Sequence, residues 1–170
     1  MGDLYSECIV KRETPKYTMA VKLLIMLLML ASVGLIIYTW NFLFFIAAIV
    51  LGIVFYFYST SVEVEYEYAF VNGEVDFDKI TNKAKRRREL AFDFARLEIM
   101  APAESHHLDG YKNKTCKLYD FTSANPENAD KVYVMYGTEK NEMIKIMFEP
   151  DEKMLTDMKN NAPRKVNTVK

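Results

Sequence analysis

Residues 61–77 read SVEVEYEYAFVNGEVDF. Val62, Val64, Tyr66, Tyr68 and Phe70 fall on one face of a strand whose side chains alternate with period two, and Glu63, Glu65 and Glu67 fall on the other. That is the pattern of a half-buried antiparallel strand with one wet face. Asn72-Gly73 suits a type I′ turn, because both residues tolerate positive φ. Glu74-Val75-Asp76-Phe77-Asp78 then alternates again, so the stretch predicts a β-hairpin over residues 62–78.

Immediately upstream, no charged residue occurs from Leu23 to Tyr58. A single helix of that length would run about 54 Å, against a hydrocarbon core of about 30 Å. The run must therefore fold in two. Tyr38-Thr39-Trp40-Asn41 is its one polar cluster, and Tyr and Trp favour the headgroup level. This places one span near residues 21–38 and a second near 42–58. Tyr56 and Tyr58 mark the far interface, and Lys22 snorkels at the start of the first span. Lys11, Arg12, Lys16 and Lys22 precede the run as in a secretory signal, but no small-residue cleavage site follows and a second apolar span comes at once. A retained hairpin is the reading these features favour; a re-entrant hairpin is the alternative, disfavoured because each half is long enough to cross. The uncharged loop and the four basic residues of the N-terminal flank put both tails in the cytoplasm.

Within the spans, Ala48 and Gly52 form a small-xxx-small spacing. It suits either a contact between two copies of the chain or packing against the chain's own first span, and the second is the commoner use. No acidic residue or arginine lies in either span, which argues against a channel or a proton-coupled transporter.

The 170-residue chain carries 22 Lys+Arg against 23 Asp+Glu, a net charge of −1, so nothing marks nucleic acid as a partner. Cys8 and Cys116 are the only cysteines, far apart and without metal or redox spacing, as suits a reducing compartment. Downstream of the hairpin, KITNKAKRRREL reads as a basic connector or short turn, followed by a strand from about Leu90 to residue 99, which Pro102 closes. Residues 103–114 read as a polar loop, 116–121 as a strand, and TSANPENAD as another loop. Residues 131–136 and 142–148 read as an antiparallel pair. A terminal helix begins at Pro150, with Asp151 and Glu152 in its first turn and an apolar stripe of Met154, Leu155 and Met158. Hairpins, short turns and one closing helix make a curved sheet or partly open barrel capped by that helix.

Three stretches carry a resemblance: VEYEYAFVNGEVDFDKI, KRRRELAFDFARLEIMAP and KIMFEPDEKMLTDMKNNAP. Their layout resembles small bacterial membrane proteins in which a two-span hairpin precedes a pleckstrin-homology-like (PH-like) domain. It is similar to an uncharacterised bacterial family, a domain of unknown function, with this same layout. The resemblance covers about residues 20–163 and implies an α+β fold: a transmembrane helical hairpin, then a PH-like antiparallel sheet with one C-terminal capping helix. It implies a membrane location and no reaction. The expected organisation is a cytosolic tail over 1–20, the hairpin over 21–58, the PH-like domain over 59–163 and a disordered tail over 164–170.

Lys83, Lys85, Arg86, Arg87 and Arg88 form the only dense basic cluster, a candidate contact for anionic lipid headgroups or an acidic partner. Charge runs are also common on plain solvated surfaces. The hairpin's acidic face would be repelled by anionic lipid and the basic cluster attracted, which sets an expected orientation with the two on opposite sides. His106-His107 with Asp109 lacks a third ligand at a usual spacing, so no metal site is expected. The carboxylates of residues 63–78 lie on a wet strand face and offer neither a calcium loop nor a catalytic cleft. No catalytic residue and no cofactor are assigned. The expected function is a non-enzymatic, membrane-anchored binding or assembly module, presented at the cytoplasmic face of the cell membrane to an unidentified protein partner or a second copy of itself. The alternative is a small accessory subunit of a transporter or secretion complex that acts through its transmembrane hairpin.

Overall fold

The structure is a computed structural model, and it describes residues 5–168. The chain divides into two compact units. One holds residues 14–64 with 81–85, and the other holds the segment up to Glu13, residues 65–80 and everything from Arg86 onward.

The first unit is built on two helices, α1 (Tyr17–Thr39) and α2 (Phe42–Val62). Both are long and apolar enough to cross a membrane, and almost nothing on them is buried within the protein. The break falls where the polar cluster predicts it. Trp40 takes a left-handed conformation (φ 49°) and its N–H donates to the Ile36 carbonyl, closing α1. The Asn41 side chain then accepts from the Leu43 N–H and opens α2. Each helix outruns its expected span. Ser59-Thr60-Ser61 lies in the last turn of α2. The Thr60 hydroxyl donates to the Tyr56 and Phe57 carbonyls, each at 3.0 Å, and the Ser61 hydroxyl to Phe57 at 2.7 Å, so the helix absorbs these polar groups without ending.

The second unit contains two four-stranded sheets. In the first, β1 (Tyr5–Lys11), β2 (Val64–Val71), β3 (Glu74–Thr81) and β4 (Lys85–Asp93) follow one another in space as in sequence. The second runs β5–β7–β8–β6, from β5 (Leu97–Pro102), β6 (Lys117–Asp120), β7 (Tyr133–Glu139) and β8 (Glu142–Phe148). The β5–β7 and β7–β8 pairs are antiparallel, while the short β6 joins β8 in parallel. The two sheets are not joined by strand pairing, so no closed barrel forms among the described residues. A single helix, α3 (Glu152–Asn161), follows, capped by the Asp151 carboxylate, which accepts from the Met154 N–H at 2.7 Å.

From Val64 onward the quoted hairpin forms as its alternation predicts, whereas Val62 ends α2 and Glu63 caps it. Tyr66, Tyr68 and Phe70 are buried from β2, and Val75 and Phe77 from β3. Asn72 and Gly73 supply the positive φ angles of the turn, 48° and 94°. Phe77 stacks on Phe121 with ring centroids 4.6 Å apart and meets Phe148 edge-on at 5.5 Å, while Met154 and Met158 of α3 are fully buried. The buried Tyr68 hydroxyl donates to the Phe121 carbonyl, so this aromatic core leaves its polar tip satisfied.

Four features depart from the sequence reading. First, part of the expected N-terminal tail is strand β1, which pairs antiparallel with β2 over seven residues, from Tyr5 opposite Val71 to Lys11 opposite Glu65. Ser6 is buried and Cys8 half-buried beneath it. Second, the basic connector is a strand: residues 85–93 form β4, one of the two edge strands of the first sheet. Third, the acidic row of β2 is not uniformly wet, since Glu67 is only 5% exposed. Fourth, the expected disordered tail is anchored through residue 167. The Met100 N–H donates to the Lys165 carbonyl and the Asn167 N–H to the Met100 carbonyl, both at 2.8 Å, and Val166 is fully buried.

Candidate functional site

The basic cluster is distributed by the fold rather than gathered. Lys83 occupies the turn between β3 and β4 with φ 53°, and Lys85 opens β4. Both belong to the helical unit, and neither has an ion-pair partner among the described residues. The arginines belong to the sheet unit. Arg86 pairs with Glu67, and its Nε lies 3.8 Å from Asp78. Arg88 reaches Asp76 at 2.7 Å and Asp78 at 3.7 Å. Arg87 lies 3.9 Å from its near neighbour Glu89 and its side chain is 78% exposed.

The reason lies in strand neighbourhood. β4 lies beside β3, whose Asp76 and Asp78 are half-buried, and β2 brings Glu67 up from the next position. Cross-strand pairs of opposite charge favour the arrangement. Arg86 and Arg88 thus serve as counter-ions to the acidic face. Acid and base interleave on one surface, and the expected separation of an acidic face from a basic one does not hold for these two arginines.

Glu67 carries a second relationship. Burial pushes its carboxyl above the ordinary carboxylate range, Arg86 pulls it back, and Glu7 of β1 raises it further. Glu7 itself is held below that range, chiefly by the Tyr5 hydroxyl, which donates to it at 2.5 Å. Glu67 is thus held above and Glu7 below the ordinary carboxylate range.

A network that the sequence did not announce fixes the end of β1. One Arg12 guanidinium nitrogen donates to the Tyr66 hydroxyl at 2.9 Å and the other meets Asp120 at 3.2 Å. The Glu13 N–H donates to the Ser123 carbonyl at 2.7 Å, and both the Ser123 N–H and its hydroxyl donate to the buried Glu149 carboxylate at 2.7 Å. Arg12 reads from sequence as one basic residue of a positive flank, and no local pattern reveals that its partner stands more than a hundred residues away.

The remaining candidates resolve locally. His106 Nδ1 lies 3.4 Å from Asp109, whose other oxygen accepts from Lys112 at 2.7 Å; these contacts hold the Asp109 carboxyl below its usual range. His107 takes no part in that pair, and no group of three metal-ligating side chains occurs among the described residues. In the helical unit, a Cβ built on Gly52 would meet the Met29 sulfur of α1 at 3.9 Å, so Gly52 is turned toward the chain's own first helix.

The fold therefore combines two four-stranded sheets and a C-terminal helix with two candidate membrane-spanning helices inserted after the first strand. The family described as "Bacterial PH-like domain (DUF6106)" matches residues 2–168, and the chain belongs to that family. No curated protein and no solved structure matches the chain.

Proposed function

We propose that the protein is a non-enzymatic, membrane-anchored binding or assembly module, which holds its PH-like domain at the cytoplasmic face of the cell membrane for a protein partner. The observation that carries this reading is the β1–β2 ladder. The apolar helices are the connection between two strands that pair along their length. Strands on opposite sides of a bilayer cannot pair. The ladder therefore supports an even number of crossings and both flanks on one side. The positive flank, Lys11 to Lys22, favours the cytoplasm as that side. PH-like domains are generally binding modules rather than catalysts, in keeping with this role.

Within this reading, the basic segment is a contact for anionic headgroups. Lys83, Lys85 and Arg87 supply the attraction, because Arg86 and Arg88 are engaged by Glu67, Asp76 and Asp78. Each basic residue near an anionic surface contributes about 1 kcal/mol. Gly52, with Ala48 one turn before it, lets the two helices of one chain pack together and leaves the opposite faces of the hairpin to lipid.

The test is crosslinking from intact membranes followed by identification of captured proteins, run on the native chain and on a chain whose residues 17–62 are replaced by an unrelated two-span hairpin. Retention of the same partners by the replaced chain supports the module. Their loss transfers the activity to the helices and favours an accessory subunit acting through its hairpin. Protease cleavage of the PH-like domain from outside sealed cells would overturn the assigned side.

A further inference from the structure

At one end of the sheet unit, the Asn72-Gly73 turn, the Asp93–Ala95 corner at the end of β4 and the Asn161–Lys165 segment at the end of α3 line an open cleft of about 460 Å³. We propose that this cleft is a binding site for a small oxyanion-bearing ligand, a carboxylate or a phosphate, held by Arg164 with the Asn72 and Asn161 amides.

Three observations carry it. The walls are fixed by their own bonds rather than by a ligand. The Phe94 N–H donates to the Gly73 carbonyl at 2.8 Å, and Lys165 Nζ donates to the Ala95 carbonyl at 3.3 Å. The volume lies in the range of small-molecule sites, and Phe94, Ala162 and Pro163 give it an apolar lining. The polar side chains of the lining include donors in Arg164 and in the amides of Asn72 and Asn161. Arg164 has no ion-pair partner among the described residues, and its planar fork suits bidentate oxyanions. Two side-chain amides join it. The one carboxylate in the lining, Asp93, already accepts from the Ala95 N–H at 2.8 Å.

Gly73 has a specific place here. A Cβ built on it would lie 3.2 Å from the Asn161 amide nitrogen. The glycine therefore serves the turn's positive φ and also leaves the Asn161 amide its position at the edge of the cleft.

The experiment uses the full-length chain, ¹⁵N-labelled and held in lipid nanodiscs, titrated with inorganic phosphate and separately with acetate at constant ionic strength. The expected result is a saturable shift of the Gly73 backbone and Asn161 side-chain resonances with at least one anion. The anion that produces it distinguishes phosphate from carboxylate recognition. Arg164→Gln should weaken that binding about tenfold, equivalent to about 1.4 kcal/mol, while Lys153→Gln, on the exposed face of α3, leaves it unchanged. Asn161→Ala gives a second, independent loss, since removal of an exposed amide spares the core. No saturable shift with either anion, or equal affinity in Arg164→Gln, overturns the proposal.

Discussion

Lys11 stands opposite Glu65 in the β1–β2 ladder, although the whole apolar hairpin lies between them in sequence. The domain therefore does not begin after the apolar hairpin; its first strand precedes it. The first expected outcome concerns this split. Replacing residues 14–63 by a linker of about four residues, the usual span of a hairpin connection, should yield a soluble domain that unfolds cooperatively. Deleting residues 1–12 instead should abolish that cooperativity, because the deletion removes all of β1, with its buried Ser6 and half-buried Cys8, and the Arg12 contacts to Tyr66 and Asp120. Far-UV circular dichroism during thermal unfolding reads both.

Val166 gives a second expectation. It is fully buried and its neighbours bracket Met100 on both backbone sides. Val166→Ala should cost about 1–2 kcal/mol through lost burial and the small cavity left behind, and truncation after Pro163 should cost more because the Met100 hydrogen bonds go with it. Denaturant midpoints at unchanged slope check both.

How much was legible follows from where the partners of each residue lie. The 62–78 hairpin and the two-helix fold-back declared themselves because their signals are local: alternation, an Asn-Gly turn, and charge-free length. β1 did not. Its inward residues are Ser6, Cys8 and Val10, a weak apolar row, and its partner comes only after both helices. The KRRREL stretch misled for a related reason. Arginines are poor strand formers alone, and here Asp76, Asp78 and Glu67 on neighbouring strands make them suitable. The cleft at residues 72 and 161–165 joins segments with no shared motif, so nothing short of the fold could reveal it.

Gly137 provides a steric prediction. A Cβ there would lie 2.4 Å from the Phe92 ring and 2.8 Å from the Arg96 carbonyl. The ring could turn, but the carbonyl belongs to the backbone leading into β5. Gly137→Ala should therefore destabilise the domain by about 1–3 kcal/mol, the usual range for overpacking. Gly110, with open space around its built Cβ, should accept alanine within about 0.5 kcal/mol, as surface changes do. Parallel urea titrations of the two variants make the comparison.

Charge variants separate the two roles within the basic segment. Arg86→Ala leaves the buried Glu67 carboxylate without its counter-ion, and should cost about 1–2 kcal/mol of stability, discounted because the arginine side chain is 55% exposed. Lys83→Glu, Lys85→Glu and Arg87→Glu together should leave stability nearly unchanged in zwitterionic nanodiscs. The same triple variant should lose the salt-sensitive stabilisation that anionic lipid confers on the native chain, since headgroup attraction is screened within a Debye length. Equal behaviour of native and variant chains in anionic nanodiscs would sink the lipid role.

Glu67 supplies the pH dependence. Its folded pKa is raised above the unfolded value, first by burial. In the window between those two values the folded state binds more protons than the unfolded state, so stability falls as pH rises through the window and is regained on acidification. Glu7 works in the opposite sense: its folded pKa is lowered, so its contribution is present above the unfolded carboxylate value and is lost as pH falls through the folded one. The two windows lie on either side of the ordinary carboxylate range and need not cancel. Glu67→Gln should flatten the stability profile on the upper side of that range while leaving the acid limb from Glu7 in place. Tyr5→Phe, which removes the hydroxyl that donates to Glu7, should do the converse and soften the acid limb alone. Thermal midpoints measured across mildly acidic to neutral pH distinguish them. A Glu67→Gln profile parallel to the native one would show that Glu67 is charged throughout and that Arg86 outweighs its burial.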